Sequence, residues 1–262
     1  MLDLDRVRGG LTGSRFGPIV YTAETSSTND DAVPLLGLPQ HAGRVLIAEH
    51  QTAGRGRRER AWIAPAGSAL LFTTILPDRI AGEALWGVTL WCALAVADGI
   101  AAAGGPRVEL QWPNDLLLGG RKCCGILCSS RIMGAHAWVA CGVGINVLRP
   151  AGAASLAAIS PPPAFLSDHS NVDRPAVLAA ILRAYDRRLD ELRDPPAIAR
   201  AWERRAALAG TRYRIAIDGA DQPFDAIARR IADDGSLVVS DGHRERHIAV
   251  GDARVLRPLS TS

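Results

Sequence analysis

An apolar run of β-forming residues, Val45-Leu46-Ile47-Ala48, passes straight into Glu49-His50-Gln51-Thr52-Ala53-Gly54-Arg55-Gly56-Arg57-Arg58-Glu59-Arg60-Ala61-Trp62. A strand with that composition belongs in a core, so the chain must turn out of the core where the glycines and guanidinium groups begin. Gly54 and Gly56 let backbone N–H groups come close to a ligand. The forks of Arg55, Arg57, Arg58 and Arg60 match the paired oxygens of carboxylates and phosphates. The pattern suits a loop that wraps an anion. Taken alone, it suits a solvated basic turn or an RGG-like strip for RNA equally well.

The rest of the composition narrows the choice. At 262 residues and 48% hydrophobic, the chain can bury a full core, with room for one large domain and a small one. A net charge of +3 is too small to argue for a nucleic-acid or membrane partner, so any basic function is local. Met1 to Gly17 carries Asp3, Asp5, Arg6, Arg8 and Arg15 and no apolar centre; a cytoplasmic protein is expected. The most apolar stretch, Ala84 to Ala97, reads as a buried helix too short to span a bilayer. Cys92, Cys123, Cys124, Cys128 and Cys141 lie in apolar surroundings without C-x-x-C spacing, which favours reduced core thiols; Cys124 and Cys128 share one face of a strand.

Strands are predicted at Pro18–Tyr21, Ser68–Leu76, Arg107–Gln111, Leu116–Leu118, Cys123–Ser129 and Trp138–Ile145. Ser27, Thr28 and Asn29 precede Asp30-Asp31 as helix-capping residues do, and hydroxyls at such a start also face small ligands. Helices are predicted from about Ala81 to Ala103, from Pro175 to Leu192 with an apolar face of Val177, Leu178, Ile181, Leu182, Tyr185 and Leu189, and from Ala197 to Leu208. A loop of proline and small residues fills Leu148 to Asp173. Beyond Leu208–Thr211, four alternating segments separated by Asp218-Gly219, Asp234-Gly235 and Asp241-Gly242 predict a small β-barrel or sandwich. The expected division is 1–208 and 209–262.

Five motifs fall in one order: Ser27-Thr28-Asn29; Gln51 to Arg60; Trp112-Pro113-Asn114-Asp115; Arg121-Lys122-x-x-Gly125-Ile126-Leu127; and Gly142-Val143-Gly144-Ile145-Asn146. In that order and spacing the chain resembles biotin protein ligases over roughly Ser26 to Asn146, and its carboxyl end resembles their SH3-like cap. The resemblance implies an α/β (α+β) mixed-sheet catalytic domain that adenylates biotin with ATP and Mg2+ and passes it to a lysine of an apo biotin carboxyl carrier domain. Two anions must then meet in one site. By motif position, Ser27, Thr28, Asn29 and Gln51 resemble the polar contacts to biotin. The segment Gly54, Arg55, Gly56 and Arg57, with Arg58 and Arg60, resembles the loop that closes over the adenylate, mobile when empty. Lys122, beside Gly125, resembles the bridge between the biotin carboxylate and the α-phosphate, with Arg57 steering phosphate. Trp62 is expected to stack at the nucleotide end and Asn146 to contact it. Asn114 shapes the turn that presents Asp115, the expected magnesium-side carboxylate, although the turn alone also explains both.

The family pattern is broken at Gln111, where a lysine is usual, and at Glu59, which replaces a loop glycine; both bear on the nucleotide more than on biotin. Too few residues precede the first strand for the winged-helix repressor module that some of these ligases carry, so no DNA or membrane partner is expected, and a homodimer is possible. Two rivals stand beside this reading. A lipoate-type ligase shares the Lys-x-x-Gly element without the arginine loop, and a nucleic-acid-binding protein would use that loop directly.

Overall fold

The computed structural model describes residues 1–150, 162–217, 222–250 and 253–258, the last as backbone, and Glu59 likewise without its side chain. A short helix α1 (Leu4–Gly9) precedes strand β1 (Ile19–Thr25), helix α2 (Thr28–Ala32) and strand β2 (Val45–Gln51). Strands β3 (Ala69–Ile75) and β4 (Ile80–Ala81) lead into the long helix α3 (Leu85–Ala102). Then come β5 (Glu109–Gln111), β6 (Asp115–Leu118), β7 (Arg121–Met133) and β8 (His136–Asn146), followed by helices α4 (Arg174–Arg188) and α5 (Pro195–Ala206). The carboxyl end supplies β9 (Arg212–Ile217), β10 (Phe224–Ile231), β11 (Leu237–Ser240), β12 (Glu245–Ile248) and β13 (Ala253–Pro258).

The main sheet runs β1-β2-β3-β8-β7-β6-β5, with β4 on β8. β1 and β2 are parallel and the other pairs antiparallel, which makes the expected mixed sheet. β3 is buried at every position, as a central strand must be. β7 and β8 extend past their predicted ends into a long hairpin that turns at Gly134, where φ is 65° and glycine is the residue without a penalty.

Helix α3 lies between the sheet and the pair α4 and α5. The apolar stretch read as too short to span a bilayer sits within Gly82–Ala102, which by length and composition alone is apolar enough to cross a membrane; 72% of its most apolar 18-residue window is buried inside the protein. Gly99 explains how tightly it packs, since a Cβ there would sit 2.5 Å from the Ile181 Cα of α4. All six residues of the predicted apolar face of α4 are buried. Its amino end is pinned by buried Arg174, which donates to the Ala69 carbonyl and lies 2.7 Å from Glu49 Oε1, while Tyr21 Oη donates to Glu49 Oε2 at 2.9 Å. Burial pushes the Glu49 carboxyl up, but Tyr21 and Arg174 outweigh it and hold it below its ordinary value.

The cysteines are all free. Their grouping follows the ladder more than the sequence: Cys128 stands directly opposite Cys141, and Cys92 of α3 places its Sγ 2.8 Å from Tyr185 Oη. Among the described residues no set of three His, Cys, Asp or Glu side chains could hold a metal ion.

The chain leaves α5 through Ala207, in the left-handed region at φ 48°, and enters a second, antiparallel sheet of order β12-β11-β10-β9-β13. β13 was not read from the sequence, because its Ala-Arg-Val-Leu-Arg-Pro run has little alternation to show. The predicted Asp234-Gly235 and Asp241-Gly242 turns are present with positive φ at each glycine; Asp218-Gly219 and most of the Pro-rich loop lie outside the described residues. Asp241 organises its turn, accepting from the backbone N–H groups of Arg244 and His243 and from Arg246 Nε, which holds its carboxyl at about 2 against an ordinary 3.8. A depressed folded value means that this support is complete above the ordinary value and fades as pH falls from about 4 to about 2. Carboxyl NMR should therefore find Asp241 titrating near 2; a midpoint near 4 would show that the turn does not hold the ionised form.

Candidate functional site

The carboxyl ends of β1 and β2, the amino end of α2 and the exposed face of β7 and β8 converge on a cavity of about 40 Å³. Its lining includes Ser27, Thr28, Asn29, Gln51, Arg55, Gly56, Trp62, Asn114, Lys122 and Gly125, all expected from the sequence. Small-molecule pockets generally span several hundred Å³, and Arg55, Gly56 and Trp62 of the arginine loop form part of this smaller cavity's wall.

At one end the side chains form a polar chain. Gln51 Oε1 accepts from the Thr28 backbone N–H at 2.9 Å and from Thr28 Oγ1 at 3.0 Å. With its hydroxyl proton committed to Gln51, Thr28 Oγ1 accepts from Thr73 Oγ1 at 2.9 Å. Asn29 Nδ2 donates to Ser129 Oγ at 2.9 Å, and Asn29 Oδ1 is buried with no partner in the protein. Ser27 occupies the N-cap position of α2, but its side chain makes no capping bond. Ser27 lines the cavity.

At the other end a bulge does the positioning. Strict alternation along β7 would put Lys122 and Cys124 on one face and Gly125 on the other. The register between β6 and β7 shifts between Leu116 and Leu117, so Leu116 faces Cys124 while Leu117 faces Lys122. Cys123 and Cys124 both enter the core as a result, and Lys122 and Gly125 both line the cavity. Lys122 Nζ lies 2.6 Å from Asp115 Oδ1. The carboxylate expected on the magnesium side is thus the counter-ion of the expected catalytic lysine and does not line the cavity.

Trp62 spans the gap between the two ends. Its indole lies over two glycines: a Cβ at Gly144 would be 2.6 Å from the ring, and one at Gly125 3.0 Å. Lys122 Nζ stands 5.5 Å from the ring centroid, close enough for a cation–π attraction.

The arginine loop is a small closed hairpin, with Gly56 N–H donating to the Arg60 carbonyl, Trp62 N–H donating to the Gly54 carbonyl, and Arg55 bridged to Ala61. Gly54 lacks a side chain because one would strike the Trp62 carbonyl and the Gln51 amide. Arg58 is held in the left-handed region at φ 58°. Arg55 pairs with Asp30. Arg57 donates to Asn114 Oδ1 and to the Val250 carbonyl just after β12, and its own burial, then the neighbouring Arg58, lowers its pKa. Arg55 and Arg57 are thus engaged by protein groups and Arg57 and Arg58 are half-buried, unlike an open strip for RNA. Arg60 is exposed.

Gly54, Arg57, Arg58, Arg60 and Asn146 do not line the cavity; Asn146 is buried at the end of β8, opposite Ala69. Asn114 does both jobs, lining the cavity while its Nδ2 donates to the Ile126 carbonyl at 2.7 Å. Gln111 is buried where β5 pairs with Asp115. Thr73, Leu71, Leu127, Gly142 and Gly144 were not singled out as site residues, yet they line the cavity. The signals were present: a threonine pair inside an otherwise apolar strand, and glycines in a strand where another group comes close.

Residues 21–146 match the family described as Biotin/lipoate A/B protein ligase family. The biotin–[acetyl-CoA-carboxylase] ligase of Mycobacterium tuberculosis is 32% identical over 98% of this chain and 100% of its own length. That of Paracoccus denitrificans is 37% identical over 83% of this chain and 92% of its own length. The structure of the biotin protein ligase from Aquifex aeolicus in complex with biotin and ATP has a TM-score of 0.72 and 20% identity over 92% of this chain and 100% of that one, a likeness of fold. Full-length relatives at this identity place the chain in the biotin protein ligase branch of the biotin/lipoate ligase family.

Proposed function

We propose that this protein joins biotin to ATP as biotinyl-5'-AMP, releasing pyrophosphate, and then transfers biotin to a lysine of a biotin carboxyl carrier domain. The observation that carries this is a single cavity with a neutral polar end, Ser27, Thr28, Asn29 and Gln51, and a cationic end at Lys122. A ureido ring and a carboxylate on one small molecule match those two ends in chemistry and order.

A carboxylate does not react with an amine until one oxygen becomes a leaving group. In the first step the biotin carboxylate oxygen attacks the α-phosphorus and the bond to pyrophosphate breaks. In the second, the carrier lysine amine attacks the acyl carbon, AMP leaves with the bond electrons, and the amine gives up a proton. Charge gathers between carboxylate and α-phosphate in both steps, where the Lys122 ammonium stabilises it once it exchanges Asp115 for the substrate oxygens. Arg57 would steer phosphate as the loop closes, and Trp62 would stack on the base. Magnesium would arrive with the triphosphate, since the described residues offer no three-carboxylate cage, and Asp115 is the carboxylate at hand. The free thiols and the use of ATP suit a cytoplasmic enzyme.

Purified protein with biotin and Mg-ATP should release pyrophosphate in proportion to biotin, and adding an apo carrier domain should yield a streptavidin-positive band. Absence of biotin-dependent pyrophosphate over a wide range of biotin concentrations would sink the reading. Labelling by lipoate in place of biotin would move it to the lipoate branch.

A further inference from the structure

We infer that Ser129 is a positioning residue for substrate recognition: it holds the Asn29 carboxamide so that Oδ1 is presented to an N–H donor of the substrate ring. This rests on the biotin reading above and adds to it a residue and a direction of hydrogen bonding.

The geometry begins with a buried acceptor. Asn29 is 8% exposed, its Nδ2 is committed to Ser129 Oγ, and its Oδ1 has no protein partner. A buried carboxamide oxygen without a partner is costly, and native proteins rarely keep one without reason. Gly142, beside it, pairs with Thr73 on one side and Leu127 on the other within the sheet. Gly142 itself is the space that admits the amide, because a Cβ there would lie 3.2 Å from Oδ1. The missing partner must therefore come from the cavity that Asn29 and Gly142 both line.

Ser129 anchors the Nδ2 end of that amide, the end turned away from the unpaired oxygen. It lies on β7 opposite Ala140, two residues past Leu127 of the cavity wall, and reaches the NH2 group. Without the hydroxyl, the carboxamide is free to turn over and offer two N–H groups, which repel the N–H of a ureido ring and suit only a carbonyl. A site with a fixed, buried acceptor also rejects a ring that has no N–H, such as a dithiolane, because the acceptor would stay unpaired. Ser129 thus bears on the choice between the two branches of the family.

The test compares Ser129→Val with Ser129→Thr in the full-length protein. The two replacements are nearly the same size and differ by the hydroxyl. Biotin-dependent pyrophosphate release gives kcat and the KM for biotin, and thermal melting reports folding. Ser129→Thr should match wild type within about twofold, whereas Ser129→Val should raise the KM about tenfold with kcat little changed, the size expected for one hydrogen bond. A second readout follows recognition itself. Wild type should discriminate between biotin and analogues methylated on one or the other ureido nitrogen, and Ser129→Val should discriminate less. Should Ser129→Val fail to fold, Ser129→Ala makes the same comparison without added bulk. A folded hydroxyl-free variant with wild-type KM and undiminished discrimination overturns the assignment while leaving the ligase reading intact. A wild-type protein that does not turn over biotin at all overturns both.

Discussion

Replacing Lys122 with alanine should slow biotin-dependent pyrophosphate release by about 10²- to 10³-fold, the usual cost of removing a preorganised donor from a developing charge. The effect should fall mainly on kcat, because the ammonium is most useful when carboxylate and α-phosphate are pressed together and less so when biotin binds alone. The ion pair with Asp115 adds a second consequence. Lys122 and Asp115 are 34% and 22% exposed at their side chains, so alanine leaves a mostly shielded carboxylate without its cation. A loss of about 1 kcal/mol in stability follows from such a half-screened pair, small beside the kinetic effect. Arg107→Ala is the matched control: Arg107 is exposed and lies outside the cavity lining, and its loss should leave the rate and the melting temperature near wild type. Equal rates for Lys122→Ala and wild type, or an unfolded Lys122→Ala, would remove Lys122 from the centre of the site.

The sequence made the elements legible because their burial is simple. β3 is apolar at nearly every position, α4 keeps a 3.6-residue stripe, and the Asp-Gly pairs mark turns by their need for positive φ. Ser27, Thr28, Asn29, Gln51 and Lys122 were readable for a different reason: each is polar beside an apolar element, and together they fall in an ordered motif set. What stayed hidden depends on pairing across the sheet. Nothing near Asn29 in sequence points to Ser129, a hundred residues on, and nothing in Cys124 and Cys128 predicts that Cys128 would instead face Cys141. That Asp115 also pairs with Lys122 stays hidden, because their approach depends on the β6–β7 bulge, which a period-two reading of β7 does not contain. Arg174, far from any motif, turns out to tie α4 to Glu49 at the start of the arginine loop.

Gly144→Ala should cost the enzyme its hold on the nucleotide while leaving the sheet intact. Position 144 is paired with Leu71 on one side and Gly125 on the other through backbone groups that a methyl does not touch. The added Cβ would instead sit 2.6 Å from the Trp62 ring, inside contact distance, and the ring belongs to a loop that can yield. Trp62 should therefore lift off the glycine floor, losing its cation–π contact with Lys122 and the wall it gives the cavity. With Trp62 as the stacking surface for the base, the KM for ATP should rise by more than tenfold, roughly the value of one aromatic stack, and the KM for biotin should move less. Trp62→Ala should show the same pattern. The double variant is the sharper measurement: if Gly144→Ala acts through the indole alone, adding it to Trp62→Ala should change little, since there is no ring left to displace. Independent, additive losses in that cycle would show that the glycine serves the ligand directly and that the indole is a bystander.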